Sequence, residues 1–252
     1  ARDPKRLVGR QLIDIIADNF IELHGDRYYG DDKAIVGGIG TINGKPYTLI
    51  AQQKGSELDE RVDCNFGMAQ PEGFRKAHRL IQQAEKFGRP VITIVDTAGA
   101  YPGVEGEERG QSEAIARNLA VMSELKTPII VVITGEGGSG GALAISVGDH
   151  LSMLEYATYS VASPEACASI IWRTAEKASD AADAMKVSSG ELKKINIIDE
   201  IILEPLGGAH RDYDLISQSI KSSIVNNLSK LSSLSPDDLV KRRYERLLRI
   251  GS

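Results

Sequence analysis

A chain of 252 residues with 42% apolar side chains can bury one large core or two small ones. No apolar run approaches the roughly 20 residues that a membrane span requires, and the opening Ala1-Arg2-Asp3-Pro4-Lys5-Arg6 leads into no apolar signal core. A net charge of −5 offers no electrostatic footprint for nucleic acid. Residue 1 is Ala and not Met, which is expected of a trimmed or processed start. Cys64 and Cys167 stand far apart, with no Cys-x-x-Cys and no neighbouring His pattern. That spacing argues against a zinc ribbon and a disulfide framework, and fits a reducing compartment.

Leu12, Ile15, Ile16, Phe20 and Leu23 recur at helical spacing across residues 7–23 before Gly25-Asp26-Arg27 breaks the pattern, so an amphipathic helix is predicted to open the chain. Apolar runs at 34–39 and 47–51 flank Asn43-Gly44-Lys45-Pro46, and Asn-Gly between two such runs predicts an antiparallel hairpin. Phe74, Ala77, Leu80, Ile81, Ala84 and Phe87 mark a helix from Pro71 to Gly88, followed by a buried strand at 91–95. That strand ends in Asp96-Thr97-Ala98-Gly99-Ala100-Tyr101-Pro102-Gly103, too rich in Gly and Pro for regular structure.

A helix with Ala114, Leu119, Met122 and Leu125 on one face comes next, then a strand at 128–133. Continuous apolar strands separated by helices imply an α/β fold whose parallel strands are covered on both faces. After His150 the pattern predicts a short strand, a loop, and a helix whose N-cap is Ser163 and whose first residue is Pro164. Residues 197–203 read as one more strand. From about 211 onward two helices are expected, the second opened by Ser235-Pro236-Asp237-Asp238. Within it Lys241-Arg242-Arg243-Tyr244-Glu245-Arg246 is expected to be a solvated helix face. No linker or repeat intervenes, so residues 1–252 are expected to form one domain with helical arms at about 6–24 and 211–249.

The most informative stretch is Gly137-Gly138-Ser139-Gly140-Gly141-Ala142, where the strand gives way to a helix-like run at 142–147. Unpaired N–H groups at such a junction converge with the positive end of a helix dipole, and glycine lets a ligand oxygen approach the main chain. Three chemistries fit. Gly135-Glu136-Gly137-Gly138-Ser139-Gly140 satisfies G-x-G-x-x-G, with Glu155 about twenty residues on, as in dinucleotide binding. Gly137-Gly138-Ser139-Gly140-Gly141 satisfies G-x-S-x-G, with Asp199 and His210 in the order of an α/β-hydrolase triad. In the third, the N–H groups of Gly140 and Gly141 form an oxyanion hole faced by Ala98-Gly99-Ala100, and a Cβ at Gly141 would occupy the ligand's space.

Longer blocks narrow the choice. Asp-Thr-Ala-Gly-Ala-Tyr-Pro-Gly at 96–103, Glu-Glu-Arg-Gly-Gln-Ser-Glu-Ala-Ile-Ala-Arg-Asn-Leu at 107–119, Gly-Glu-Gly-Gly-Ser-Gly-Gly-Ala-Leu-Ala at 135–144, Ser-Pro-Glu at 163–165 and Glu-Pro-Leu-Gly-Gly-Ala-His-Arg at 204–211 resemble the α subunit of the multi-subunit acetyl-CoA carboxylase carboxyltransferase, of bacterial or plastid type, nearly end to end. Ala98 departs from the Thr-Pro-Gly more usual in that loop.

The resemblance implies a crotonase-type (ClpP/crotonase) spiral of ββα units. It implies carboxyl transfer from carboxybiotin, carried on a biotin carboxyl carrier protein, to acetyl-CoA, giving malonyl-CoA in the first committed step of fatty acid synthesis. Gly140 and Gly141 would hold the biotin carbonyl, and Ala98, Gly99, Ala100, Tyr101, Pro102, Gly137 and Gly138 would shape the substrate pocket. A β subunit would carry the zinc ribbon and the hole for the thioester in an α2β2 heterotetramer. Biotin carboxylase would be a further partner, and no metal is expected in this chain. A cytoplasmic or plastid-stromal location is implied. Transfer would proceed through release of CO2, proton removal from the acetyl methyl group by the biotin enolate, and attack of the acetyl-CoA enolate on CO2.

An enoyl-CoA hydratase or isomerase shares the fold but needs a positioned carboxylate, and only Glu136 adjoins the turn. None of His24, His78, His150 and His210 has a spacing that pairs it with an acid, so all four are expected to be structural or surface residues. Arg109, Arg173 and Lys177 are expected to be solvated charges, with coenzyme A phosphates as the alternative.

Overall fold

The structure is a computed structural model and describes residues 1–251. Helix α1 (Gly9–Ile16) buries Leu12, Ile13 and Ile16, and Ala17 ends it with an extended backbone. The chain then enters an edge strand, β1 (Asn19–Glu22), antiparallel to β2 (Ile35–Ile42). The predicted helix of 7–23, and with it the arm at 6–24, is therefore a helix of eight residues followed by a strand of four. Ladder bonds to β2 outweigh the local periodicity, and Phe20 packs on the core from the strand. Asn43 and Gly44, with φ of 51° and 74°, make the predicted turn into β3 (Lys45–Gln52).

Helices α2 (Leu58–Asp63) and α3 (Pro71–Lys86) lead to β4 (Val91–Thr97). Helices α4 (Val104–Glu108) and α5 (Gln111–Glu124) lead to β5 (Ile129–Gly138). After α6 (Ser139–Leu143) come β6 (His150–Leu154) and β7 (Thr158–Ser160). Then follow α7 (Pro164–Trp172), α8 (Ala178–Met185), α9 (Ser189–Lys194), β8 (Glu200–Ile202), α10 (Tyr213–Leu231) and α11 (Pro236–Leu248).

One eight-stranded sheet runs β1-β2-β3-β4-β5-β6-β8, with β7 pairing the far end of β5, and every pairing beyond β3 is parallel. All seven residues of β4 are buried, as expected of a strand covered on both faces. A Cβ at Gly37, the cross-strand partner of Ile50, would meet Leu80 of α3, whereas Gly9 of α1 lies against Ala51. Successive residues face opposite sides of a strand, so α3 and α1 cover opposite faces.

The basic segment of α11 is solvated only in part: Lys241, Tyr244 and Glu245 are exposed, whereas Arg243 and Arg246 are buried. Arg243 is fully buried: its guanidinium bonds both oxygens of Asp149, at 3.0 and 2.8 Å, and the carbonyls of Met122, Leu125 and Thr127. Arg246 bonds Asp199 at 2.6 Å and the Ile197 carbonyl at 2.7 Å. These side chains fasten α11 to the loops after α5 and before β6 and β8. Among the described residues no helix is long and apolar enough to cross a membrane.

Candidate active site

β4 and β5 run in register to Val95↔Ile133, after which Thr97 pairs with Gly137. The slip leaves two extra residues on β5, and the Asp96 carboxylate closes the gap by accepting the Glu136 N–H at 2.9 Å. Gly135 is required there, because a Cβ would sit 2.3 Å from that carboxylate. β7 then pairs with Glu136, Gly137 and Gly138 and holds them extended. Hence the strand runs through the glycines, and α6 starts at Ser139 and ends at Leu143 instead of occupying 142–147. With Gly135, Gly137 and Gly138 in a strand, the G-x-G-x-x-G segment is no phosphate-binding loop.

The loop after β4 and the turn after β5 touch through their backbones. A Cβ on Gly138 would lie 2.1 Å from the Ala98 carbonyl oxygen, and one on Gly141 would lie 2.4 Å from the Ala100 nitrogen. The structure therefore brings 98–100 and 138–141 into direct backbone contact, where the sequence pattern predicts two walls that face each other across one cavity. It corrects the expectation for Gly141: loop backbone fills its Cβ position, not ligand space. At Gly140 a Cβ would meet nothing nearer than Ile115 at 3.7 Å. Gly140 and Gly141 stand in the first turn of α6, where N–H groups have no intrahelical acceptor.

Residues that the sequence reading passed over fix this contact. Gln52 is fully buried at the end of β3; its Nε2 donates to the Gly141 carbonyl at 2.8 Å, and its Oε1 accepts the Asp96 N–H at 3.0 Å. Thr97 Oγ1 accepts the Gly99 N–H at 3.1 Å. Lys54 Nζ lies 2.7 Å from Asp96 and 2.8 Å from Glu136. Burial opposes the Lys54 charge, yet these two carboxylates hold its pKa above the ordinary lysine value. Burial likewise opposes the Glu136 charge, while Lys54 and Arg2 hold that carboxyl below its usual range.

Ala98, Gly137 and Gly138 line a cavity of about 350 Å³ together with Glu136, Thr158 and Ser160. Gly99, Ala100, Gly140 and Gly141 lie outside its wall. Gly141 is buried, whereas Gly99, Ala100 and Gly140 are half-buried beside an adjoining open face on which Ala98 and Ser139 are exposed. Tyr101 and Pro102 are outside the cavity as well. The Tyr101 ring covers Gly103, the Tyr101 backbone N–H donates to the Ala69 carbonyl at 2.9 Å, and Pro102 is exposed.

The hydrolase triad is not assembled. Ser139 has the positive φ of 54° that a tight strand-to-helix turn imposes. Asp199, however, is engaged by Arg246 and by the Leu151 N–H at 2.8 Å, and His210 faces Asp3 at 3.7 Å. His24 and His150 do have carboxylate partners, Asp31 and Glu200, each at 3.0 Å. The partner of His150 lies fifty residues away, beyond any spacing rule. Arg109 pairs with Glu72 at 2.6 Å instead of standing free in solvent. Lys177 lies over the Trp172 ring, and Arg173 caps α7 in a left-handed conformation.

Residues 1–251 match the family described as acetyl co-enzyme A carboxylase carboxyltransferase-like. The acetyl-coenzyme A carboxylase carboxyl transferase subunit alpha of Alcanivorax borkumensis is 56% identical over 252 residues, covering 100% of this chain and 78% of the relative. That of Pseudomonas putida is 56% identical over 251 residues, covering 100% and 80%. Among solved structures, transcarboxylase 12S with methylmalonyl-coenzyme A superposes with a TM-score of 0.75 at 20% identity, over 92% of this chain and 43% of that one. A Pseudomonas malonate decarboxylase hetero-tetramer in complex with coenzyme A gives 0.74 at 15% identity, over 96% and 98%. These two show the fold, the crotonase type of the carboxyltransferases. The chain belongs to the family of acetyl-CoA carboxylase carboxyltransferase α subunits.

Proposed function

We propose that this α subunit contributes the backbone half of a divided carboxyltransferase site, and that Gly140 and Gly141 hold the carbonyl of a carrier-bound biotin. The observation that carries the proposal is the contact between 98–100 and 138–141, beside which Gly140, in the first turn of α6, is left with open space. Biotin, when bound, supplies the N-carboxylate that is transferred. The residues present fit its small ureido carbonyl, because no Cβ at Gly140 hinders approach to the main chain.

The chain's own work is to orient that carbonyl and to stabilise negative charge as it grows on the oxygen. A preorganised donor of this kind is worth about 3 kcal/mol, or roughly a hundredfold in rate. Gln52 keeps the two loops from drifting apart, and the Lys54 ammonium offsets the charges of Asp96 and Glu136 behind them. The open face at Ala98, Ser139 and Gly140 suits completion by a β subunit that binds acetyl-CoA and carries the zinc ribbon. A biotin carboxyl carrier protein and biotin carboxylase would complete the enzyme.

The test mixes the chain with a β subunit and follows malonyl-CoA and free biotin in the reverse direction. Neither subunit alone should turn over, and the mixture should. Gly140→Val adds a side chain where φ is not positive and should leave the mass of the complex unchanged while lowering kcat about a hundredfold. Turnover by the chain alone, or a Gly140→Val complex within a fewfold of the parent, would overturn the assignment.

A further inference from the structure

A second cavity, of about 570 Å³, lies between α3, α5 and the loop after β1, with five arginines and two carboxylates in its wall. The volume falls in the range of small-molecule sites. Most of these charges are already paired. Arg75 holds Asp26 at 2.8 Å, Arg117 holds Glu113, and Arg109 is taken up by Glu72 just behind the wall. Asp26 also accepts the N–H groups of Tyr28, Tyr29 and Gly30.

Arg27 and Arg79 remain. Arg27 donates only to the His24 carbonyl, at 2.8 Å, and Arg79 only to the carbonyls of Leu23, His24 and Gly25. Among the described residues neither has a carboxylate within salt-bridge distance. Burial, and then the neighbouring charge of Arg27, lower the pKa of Arg79, against the weaker opposing pull of Asp31 and Asp26. Gly110, the N-cap of the fourteen-residue α5, also stands in the wall, which places the positive end of that helix on the cavity.

We propose that this cavity binds a phosphate-bearing small molecule through Arg27 and Arg79. One carboxylate has two oxygens and satisfies a single guanidinium fork. A phosphate offers three terminal oxygens and can bridge two. The site is distinct from the glycine junction, since Ala114 lines the cavity while its neighbour Ile115 faces Gly140 across α5. Coenzyme A and free nucleotides are two sources of this chemistry.

The experiment is calorimetric titration of the full chain with inorganic pyrophosphate at low salt. Saturable binding is expected, weakened about tenfold or more by Arg27→Gln and further by adding Arg79→Gln, and unchanged in Lys241→Gln. Arg27 bonds one surface carbonyl only, so Arg27→Gln keeps the fold and decides the matter even if the double variant does not fold. A fall in affinity from coenzyme A to its 3′-dephospho form assigns the site to the coenzyme. ADP binding as tightly as coenzyme A assigns it to free nucleotides. Either result supports the proposal. Absence of saturable pyrophosphate binding, or parental affinity in Arg27→Gln, overturns it.

Discussion

Gln52 has both ends of its amide committed, one to each loop of the glycine junction, in a fully buried position. Gln52→Leu keeps the bulk and strands the Asp96 N–H and the Gly141 carbonyl without a partner. A buried unsatisfied group costs about 1–3 kcal/mol, so stability should fall by about 2 kcal/mol or more in a denaturant titration. Because the loops then lose their fixed spacing, kcat of the complex with a β subunit should fall more than KM rises. A parental kcat would show that the spacing is immaterial. Ser139→Ala, by contrast, leaves every backbone donor in place and should retain activity within a fewfold. The glycines of this site are legible in sequence because only a missing Cβ lets Gly138 touch Ala98 and Gly141 touch Ala100. Gln52, Lys54 and Asp96 are not, since their partners lie some 40 to 90 positions away. The one local hint is a glutamine directly after the apolar run Leu49-Ile50-Ala51.

Helix α11 is held by buried charge as well as by the apolar side chains of Leu239 and Leu247. Arg243 and Asp149 are both without exposed side-chain surface and lie 2.8 Å apart. Removing one partner of a buried pair leaves an uncompensated charge, which costs about 3–5 kcal/mol. Arg243→Met should therefore destabilise the protein by that amount in urea unfolding. Adding Asp149→Asn should recover part of the loss, since the stranded charge disappears. A loss below about 1 kcal/mol for Arg243→Met would mean that the pair is solvated in solution. Local signals did place many elements: the Asn43-Gly44 hairpin, α3, β4 and α5 fall where periodicity and turn residues put them. Ser163 and Ser235 cap α7 and α11 by accepting the N–H groups of Ala166 and Asp238, as their sequence contexts imply. Elsewhere, as at the run expected to be helical over 142–147, local signals misled. Phe20 and Leu23 fit a helical period as well as a strand until β2 pairs with Phe20 through Gly40 and accepts the Leu23 N–H at the Gly37 carbonyl. A run of arginines reads as solvated until Asp149 and Asp199 arrive from elsewhere in the chain.

At the scale of the whole molecule, stability should depend on pH in a direction that burial fixes. Burial lowers the pKa of His78 and His150 below the ordinary 6.5, the second against the opposing pull of Glu200. A histidine with a depressed folded pKa is charged more readily in the unfolded chain. Its contribution is therefore complete above pH 6.5 and is withdrawn as pH falls from there to the folded pKa. Each unit of depression withdraws about 1.4 kcal/mol. The carboxylates act lower down. Burial opposes the charge of Asp31, but Lys76, the Gly25 N–H and His24 bring its pKa to about 2, and Glu136 and Glu204 are also depressed. Their contribution is lost only as pH drops below about 4.5. Asp32, pushed up by burial, works the other way over part of the acid range. Between pH 7 and 5 the histidines should prevail, so Tm is expected to be level from pH 8 to 7 and to fall by a few degrees on going to pH 5. Scanning calorimetry of the parent and of His150→Gln checks this, and the variant should show the shallower fall. A Tm that holds or rises between pH 7 and 5 would mean that the two histidines do not prevail over the buried carboxyls of raised pKa, Asp32 and Asp149.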